Sequence, residues 1–497
     1  MSTPVFLGPD VCLTAEDVET VARSASCCVE RTEAAAAGMQ RAREALGEVE
    51  RSGAPIYGVT TGFGALVDHA SEGSSADHAT GLLHHLTTGS GPPADRSVVR
   101  AMMLARLQAL AQGRSGVRLS VFDALASLIN ASITPDVPEI GSLGASGDLT
   151  PLAHVAQVVA GDGSVRAPDG SPAPASDALA EAGLEPVSLD GRDALALVNG
   201  TAFMTGLASL ALVRAERLMR RAEALTGWAY RLLGCSLEPL DAVLHDARGH
   251  AGQAASAAAI RDEALRDGSI PEADRPLQEA YSLRCAPQIL GAVREQLQYV
   301  RSLTETELNG TNDNPVIDPD GPRVIHGGNF QGQQVAFAAD ALNAAITQVG
   351  VLAERQLDLL LTPQRNGGAP PLLAWRPGPT SGLAGAQLTA TSLVAELRHD
   401  AQMSATFSIP TNGDNQDVVS MGAMAARRAY EQTDHLAPIL AILSLALTQL
   451  THLRRAGRAD GPAPAPPPWM PDVEPVVDDR PLRSDIADLA ERWLHPD

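Results

Sequence analysis

Ile140-Gly-Ser-Leu-Gly-Ala-Ser-Gly-Asp-Leu-Thr-Pro-Leu-Ala-His154 sets a run of small residues against the start of a helix-forming stretch. Gly144 and Gly147 flank Ala145-Ser146, and glycine reaches backbone angles closed to other residues. One reading is ordinary: a tight turn, then a helix capped by Asp148 with Pro151 in its first turn. The other is chemical. In a compressed turn the Gly147 amide nitrogen can attack the Ala145 carbonyl carbon, and loss of one water closes a five-membered ring. Loss of the Ser146 hydroxyl as a second water leaves an exocyclic methylidene, an electrophile made from the chain itself. Such a reaction needs small side chains and stored backbone strain.

Composition limits what surrounds this stretch. The chain has 497 residues, more than one ordinary domain, and is 44% hydrophobic but only 3% aromatic. Its core is therefore built from Ala, Leu and Val, and Ala and Leu favour helix. A formal net charge of -22 argues against a nucleic-acid partner and fits a soluble, cytoplasmic protein. The sequence holds no lysine. A pyridoxal-phosphate enzyme needs a Schiff-base lysine and a P-loop needs its own, so neither class is expected. Cys12, Cys27, Cys28, Cys235 and Cys285 lack metal-ligand spacing and read as reduced thiols. No metal site is expected. The first ten residues lack the pattern of a signal peptide. The apolar run from Ala437 to Leu447 is too short to span a bilayer and reads as a core helix, so no membrane association is expected.

The pattern predicts a mainly α protein. Thr14 caps a first helix, and a second, Ala-rich one runs from about Glu30 to Glu50. Residues 70–78 read as a mobile polar stretch. A helical period holds from about Ala94 to Ile133, and one or two small hairpins are expected between Gly161 and Pro186. Long helices are expected at 196–234, 277–309, 332–361, 382–402 and 417–455. Helices this long need partners along their length, which points to a bundle. The expected organisation is a loop-rich N-terminal domain over 1–192, the bundle over 193–455, and a tail over 456–497 with a stiff Pro-rich linker and one short surface helix.

Several other stretches carry polar groups in unusual settings. Tyr57-Gly-Val-Thr-Thr-Gly-Phe-Gly64 places Tyr57 in a glycine loop. Leu83-His84-His85-Leu86 reads as two histidines on a helix surface, and Asn199 sits at a helix start or break in Leu197-Val-Asn-Gly-Thr201. Gln278, Tyr281 and Arg284 are spaced i, i+3, so a helix would put all three on one face. Arg284 can then grip a carboxylate, or simply pair with Glu279 or Glu295. His326-Gly-Gly-Asn329-Phe330-Gln331 and Asn412-Gly-Asp-Asn415-Gln416 are turns rich in Gly and Asn.

The Ala145-Ser146-Gly147 stretch resembles the methylidene-imidazolone (MIO) motif of the aromatic amino acid ammonia-lyases and related aminomutases. The resemblance runs from the first helix to about residue 455 and is nearest to tyrosine ammonia-lyases. It implies a histidine/phenylalanine ammonia-lyase-like helical fold and an MIO group formed autocatalytically from Ala145, Ser146 and Gly147. It also implies a homotetramer whose active sites are each assembled from three subunits. It makes Tyr57, as phenolate in the loop ending at Gly64, the base that removes the substrate β-proton. For that role its pKa must fall well below its usual value of ~10. It gives Tyr281 proton handling and MIO support, and Arg284 the substrate carboxylate, with Gln278 alongside. It places Asn199 near the carboxylate and the MIO oxygen, and Asn329, Phe330, Asn415 and Gln416 near the substrate; Gln331 stands where some relatives have His. The pair His85-Leu86 matches tyrosine enzymes, where phenylalanine enzymes tend to have Phe-Leu and histidine enzymes Ser-His. An imidazole can bond a para-hydroxyl. A neutral Gln416, where histidine enzymes tend to have Glu, speaks against histidine. The expected reaction is elimination of ammonia from L-tyrosine to give trans-4-coumarate. The alternatives are a tyrosine 2,3-aminomutase giving β-tyrosine, a phenylalanine or histidine ammonia-lyase, or a helical scaffold without activity.

Overall fold

The computed structural model describes residues 4–69, 74–144, 146–167, 169–268, 270 and 275–495. It is mainly α, as expected, and its strands form small two-stranded sheets. The chain forms two compact units, each discontinuous in sequence. The first comprises Met1–Val213, Val300–Asp340 and Met403–Arg427; the second comprises Arg214–Tyr299, Ala341–Gln402 and Arg428–Asp497.

The five long segments read from sequence appear as helices Ala202–Leu233, Ala286–Leu308, Gln333–Leu361, Ala384–Asp400 and Gly422–Arg455. Two of them, Gln333–Leu361 and Gly422–Arg455, are long and apolar enough to cross a membrane. Their most apolar stretches are 72% and 89% buried, the pattern of core helices. The apolar run around Pro438 is thus part of a helix much longer than the run itself.

In the first unit, Thr14 and Asp17 form a reciprocal cap at the start of helix Ala15–Arg23, and the N-terminal strand Val5–Leu7 pairs in parallel with Val29–Arg31. Of the stretch expected to be mobile, residues 70–73 lie outside the described residues. The remainder opens helix Ser75–Leu86, where Ser74 and Asp77 cap each other. The helical period from Ala94 is not continuous. It divides into Arg96–Ala111 and Leu119–Asn130 because Gly113 turns at φ +70°, where a Cβ would lie 2.8 Å from the Gly38 backbone. Helix Arg96–Ala111 is buried from Val98 to its end, polar Arg100, Arg106 and Gln108 included. A hairpin pairs Ser164–Arg166 with Pro172–Pro174.

In the second unit, the tail helix Arg483–Leu494 exposes Arg483, Ser484, Ala487, Asp488, Glu491 and Arg492 and turns its other face inward. It buries Leu489, Ala490, Trp493 and Leu494. Arg221 lies against two indoles, its guanidinium carbon 4.2 Å from the Trp469 ring centre and 5.2 Å from that of Trp493. Trp228 meets Trp469 edge-on. A cation over two aromatic faces attaches the Pro-rich segment and the tail to one half-buried side chain.

Candidate active site

The glycine loop after Pro55 closes on its own tyrosine. Ile56 is fully buried, and Val59 and Thr60 both donate to its carbonyl. The Tyr57 backbone N–H donates to His326 Nε2 at 3.1 Å. Seven residues on, the Gly64 N–H donates to Tyr57 Oη at 2.9 Å. Gly64 has φ +55°, and a Cβ there would overlap the Asn412 side chain at 2.1 Å. Phe63 stacks on His78 with ring centres 4.5 Å apart and meets Tyr57 edge-on at 6.3 Å. Burial pushes the Tyr57 phenol above its usual range, and the Gly64 N–H offsets this only in part. The depression expected from converging amides is therefore not produced by Tyr57's neighbours in this chain; one amide reaches the oxygen, against the desolvation of the ring.

Helix Ser75–Leu86 presents His78, Gly81, Leu82 and His85 along one face, at helical spacing. His85 Nδ1 lies 3.0 Å from the Gly81 carbonyl. A carbonyl oxygen only accepts, so in this contact Nδ1 carries the proton and a neutral ring offers Nε2 as an acceptor.

Around the small-residue stretch the backbone is crowded. Gly147 has φ +72° and pairs with Gly200, and a Cβ on it would lie 2.2 Å from the Gly200 oxygen. The Asp148 N–H donates to the same oxygen at 2.7 Å. Asp148 stands at the N-cap position of helix Leu149–Val159, yet its carboxylate does not cap that helix. It accepts instead from Met204 N at 3.0 Å, in the first turn of Ala202–Leu233, and from Ser142 Oγ at 2.6 Å. Burial pushes the Asp148 carboxyl up to about 7. Ser146 receives two amides: Asn199 Nδ2 donates to its carbonyl at 3.1 Å and Gln416 Nε2 to its hydroxyl at 2.6 Å. Asn199 sits between helices Gly191–Val198 and Ala202–Leu233, and its buried Oδ1 has no partner among the described residues.

These elements enclose one cavity of the first unit, about 890 Å³, lined by Tyr57, Gly64, His85, Leu86, Ser146, Asn199, Gln416 and their neighbours. That volume suits a small organic ligand. The cavity also takes in Phe63, His69, Asp77, His78, Leu149, Leu195 and Asn412, none of them singled out in the sequence. The spacing from His78 to His85 on one helix was a usable signal for His78. Asn412 was legible only as an Asn beside a glycine, a pairing that tolerates its φ of +55°.

Other candidates lie elsewhere. Asn329 lines a separate polar hollow of the first unit and donates to the Thr311 carbonyl at 3.2 Å; Phe330 and Asn415 do not line the cavity. Gln331 Oε1 accepts from the Gln333 N–H. Gln278, Tyr281 and Arg284 line a cleft of the second unit. The helix there spans only Tyr281–Arg284, so Gln278 lies off it and the three do not share one helical face. The Arg284 guanidinium stacks on the Tyr281 ring at 4.6 Å and donates to the Glu279 carbonyl. The Glu279 carboxylate is taken by Nε and Nη2 of Arg275, at 2.7 Å each, so Arg284 is not spent on that ion pair. Among the described residues, no group of three side chains is placed to hold a metal ion.

Residues 13–466 match the family model for aromatic amino acid lyases. The chain belongs to the aromatic amino acid lyase family. It is thus an enzyme of the ammonia-lyase type, which breaks carbon–nitrogen bonds. This lyase is 42% identical to a tyrosine ammonia-lyase of Cereibacter sphaeroides over 91% of both chains. It is 40% identical to an MIO-dependent tyrosine 2,3-aminomutase of Streptomyces globisporus, over 96% of this chain and 93% of the other. A crystal structure of histidine ammonia-lyase from Trypanosoma cruzi superposes with a TM-score of 0.87 at 30% identity, over 99% of the lyase and 93% of that chain.

The lyase's own residues fit an MIO group. Ala145 lies outside the described residues, but the rest of its setting is present. A side chain is excluded at Gly147 by the Gly200 backbone. Asn199 Nδ2 is on the Ser146 carbonyl, where it can stabilise negative charge when the adjacent Cα loses its proton. Gln416 Nε2 is on the hydroxyl that would leave.

Proposed function

We propose that this lyase eliminates ammonia from L-tyrosine to give trans-4-coumarate, with an MIO group formed from Ala145, Ser146 and Gly147. Once formed, that group supplies an electrophile for the substrate amine. Asn199 would hold the carbonyl oxygen that comes from Ser146, and Gln416, released when the Ser146 hydroxyl leaves, would stand beside the incoming amine. Tyr57, ionised beforehand with its phenolate held by the Gly64 N–H, takes the β-proton at Oη and becomes the phenol. His85 Nε2 accepts a hydrogen bond from the substrate's para-hydroxyl, and Leu86 covers the ring. The observation that carries tyrosine is the 3.0 Å contact of His85 Nδ1 with the Gly81 carbonyl; with the proton on Nδ1, Nε2 is left as an acceptor where phenylalanine offers no donor. A neutral amide at Gln416 gives a cationic imidazole no countercharge, which disfavours histidine.

Arg284 and Tyr281 are proposed to act on the substrate carboxylate and on proton transfer, with Gln278, Asn329, Phe330 and Asn415 nearby. They complete the site from other copies in a homotetramer, and the protein acts in the cytoplasm on a small aromatic amino acid. A second reading has one observation in its favour. The base loop is closed through Tyr57–Gly64 and Phe63–His78, and a closed loop retains the intermediate long enough for ammonia to re-add, as in an aminomutase.

The deciding experiment incubates the protein with L-tyrosine, L-phenylalanine and L-histidine separately and resolves the products. Coumarate as the main product supports the proposal. β-Tyrosine as the main product establishes the second reading, and urocanate or cinnamate formed faster than coumarate sinks both.

A pH profile tests the base. A phenol raised by burial is mostly protonated at neutral pH, and its active form grows about tenfold per pH unit below the pKa. The kcat for tyrosine is therefore expected to climb from pH 7 past pH 9. A plateau starting near pH 7 would show that Tyr57 is not titrating as this chain alone sets it.

A further inference from the structure

Gly147 is pressed against Gly200, and Gly200 is itself pressed from behind. A Cβ on Gly200 would lie 2.1 Å from Arg106 Nη1 and 2.5 Å from Asn312 Oδ1. Arg106 donates to Asn312 Oδ1 at 3.1 Å and to Asp313 Oδ2 at 3.4 Å. Asp313 also accepts from Arg192 Nη2 at 2.7 Å, and Arg192 is fixed further by the Ser115 and Asn314 carbonyls. Arg106, Arg192 and Asp313 are each no more than 2% exposed. Two buried guanidiniums thus share one carboxylate, and Arg106 Nε has no partner among the described residues. Burial, with the Arg192 charge beside it, lowers the Arg106 pKa to about 10 against the opposing pull of Asp313. Buried ion clusters are often no more stabilising than apolar residues of similar volume, so stability is a weak account of this one.

We propose that Arg106 is a positioning residue for ring closure, holding Gly200 rigid so that the Ser146-Gly147 backbone is compressed against it. This rests on the reading given under Proposed function. In the step concerned, a bond forms from the Gly147 nitrogen to the Ala145 carbonyl carbon. The Ala145 oxygen leaves as water with the Gly147 and Ser146 amide hydrogens. The Ser146 hydroxyl leaves as a second water with its own Cα hydrogen. No oxidant or reductant is needed. Rigid charged packing suits the task because a guanidinium locked by Asn312 and Asp313 cannot swing aside as an aliphatic side chain can.

The test is the mass of the intact chain, followed over time after cell-free synthesis, for the parent, Arg106→Met and Arg100→Met. Arg100 is the matched control. It lies on the same helix, is equally buried, and spends its donors on the Val21, Ile129 and Ser24 carbonyls, away from Gly200. The parent and Arg100→Met are expected to lose two waters at similar rates. Arg106→Met is expected to fold, as judged by its thermal transition, and to mature at least tenfold more slowly, with partial rescue in Arg106→Lys. Maturation of Arg106→Met at the parental rate overturns the proposal, as does an equal slowing in Arg100→Met. Where Arg106→Met does not fold, Asn312→Ser replaces it, with the same two outcomes. A parent chain that never loses two waters sinks the MIO reading itself, which is a separate failure.

Discussion

Ser146→Ala is expected to keep the fold and abolish turnover. The methylidene carbon can come only from the Ser146 side chain, so the variant closes no electrophile at all. Removing a group that bonds covalently to substrate costs on the order of ten-thousand-fold or more in kcat. The structural cost is small by comparison. One hydrogen bond from Gln416 Nε2 disappears, worth about 1 kcal/mol. The measurement is twofold: the steady-state rate of coumarate formation, and the mass of the intact chain, which should exceed that of the matured parent less one oxygen by two waters. A variant as active as the parent would remove the electrophile from the mechanism.

His85→Phe is expected to move the preference from tyrosine to phenylalanine. In the parent, a phenylalanine ring leaves the His85 acceptor without a donor. In the variant, the hydroxyl of tyrosine faces a ring that cannot accept. Each unpaired polar group costs about 1–3 kcal/mol once water is excluded. The two penalties add to about 2–6 kcal/mol, so the ratio of the two kcat/KM values should swing by about thirty- to twenty-thousand-fold. The check is to measure kcat/KM for both substrates in parent and variant. An unchanged ratio would mean that the para-hydroxyl is bound elsewhere, and His69, Asp77 and His78 in the same cavity would be the next groups to vary.

Much of the architecture was legible because it depends on local pattern. The long helices follow from runs of Ala and Leu without breakers, and Thr14 was readable as a cap from its own neighbours. The cavity-lining His85 and the crowded glycines were readable because their motifs are contiguous. What was not legible depends on which distant segment arrives next to a residue. Gly113 breaks a helix because Gly38 packs on it, and nothing near Gly113 announces this. Asn412 enters the cavity because it sits on Gly64. Asp148 reads as the cap of its own helix and serves another. Tyr57 was expected to be acidified, but only burial and a single amide act on it within one chain. Trp493 looked exposed because an amphipathic tail gives no sign of the arginine it covers.

The carboxylate shared between Asp148 and the first turn of a helix 56 residues on has a temporal consequence. On the proposed reading, the reactive tripeptide acquires its shape only once that later stretch has been synthesised and docked. Each molecule would then leave the ribosome as a proenzyme, with its clock started by tertiary contact rather than by translation. Rapid overproduction should yield a population of mixed age, and specific activity should rise on standing without any added reagent.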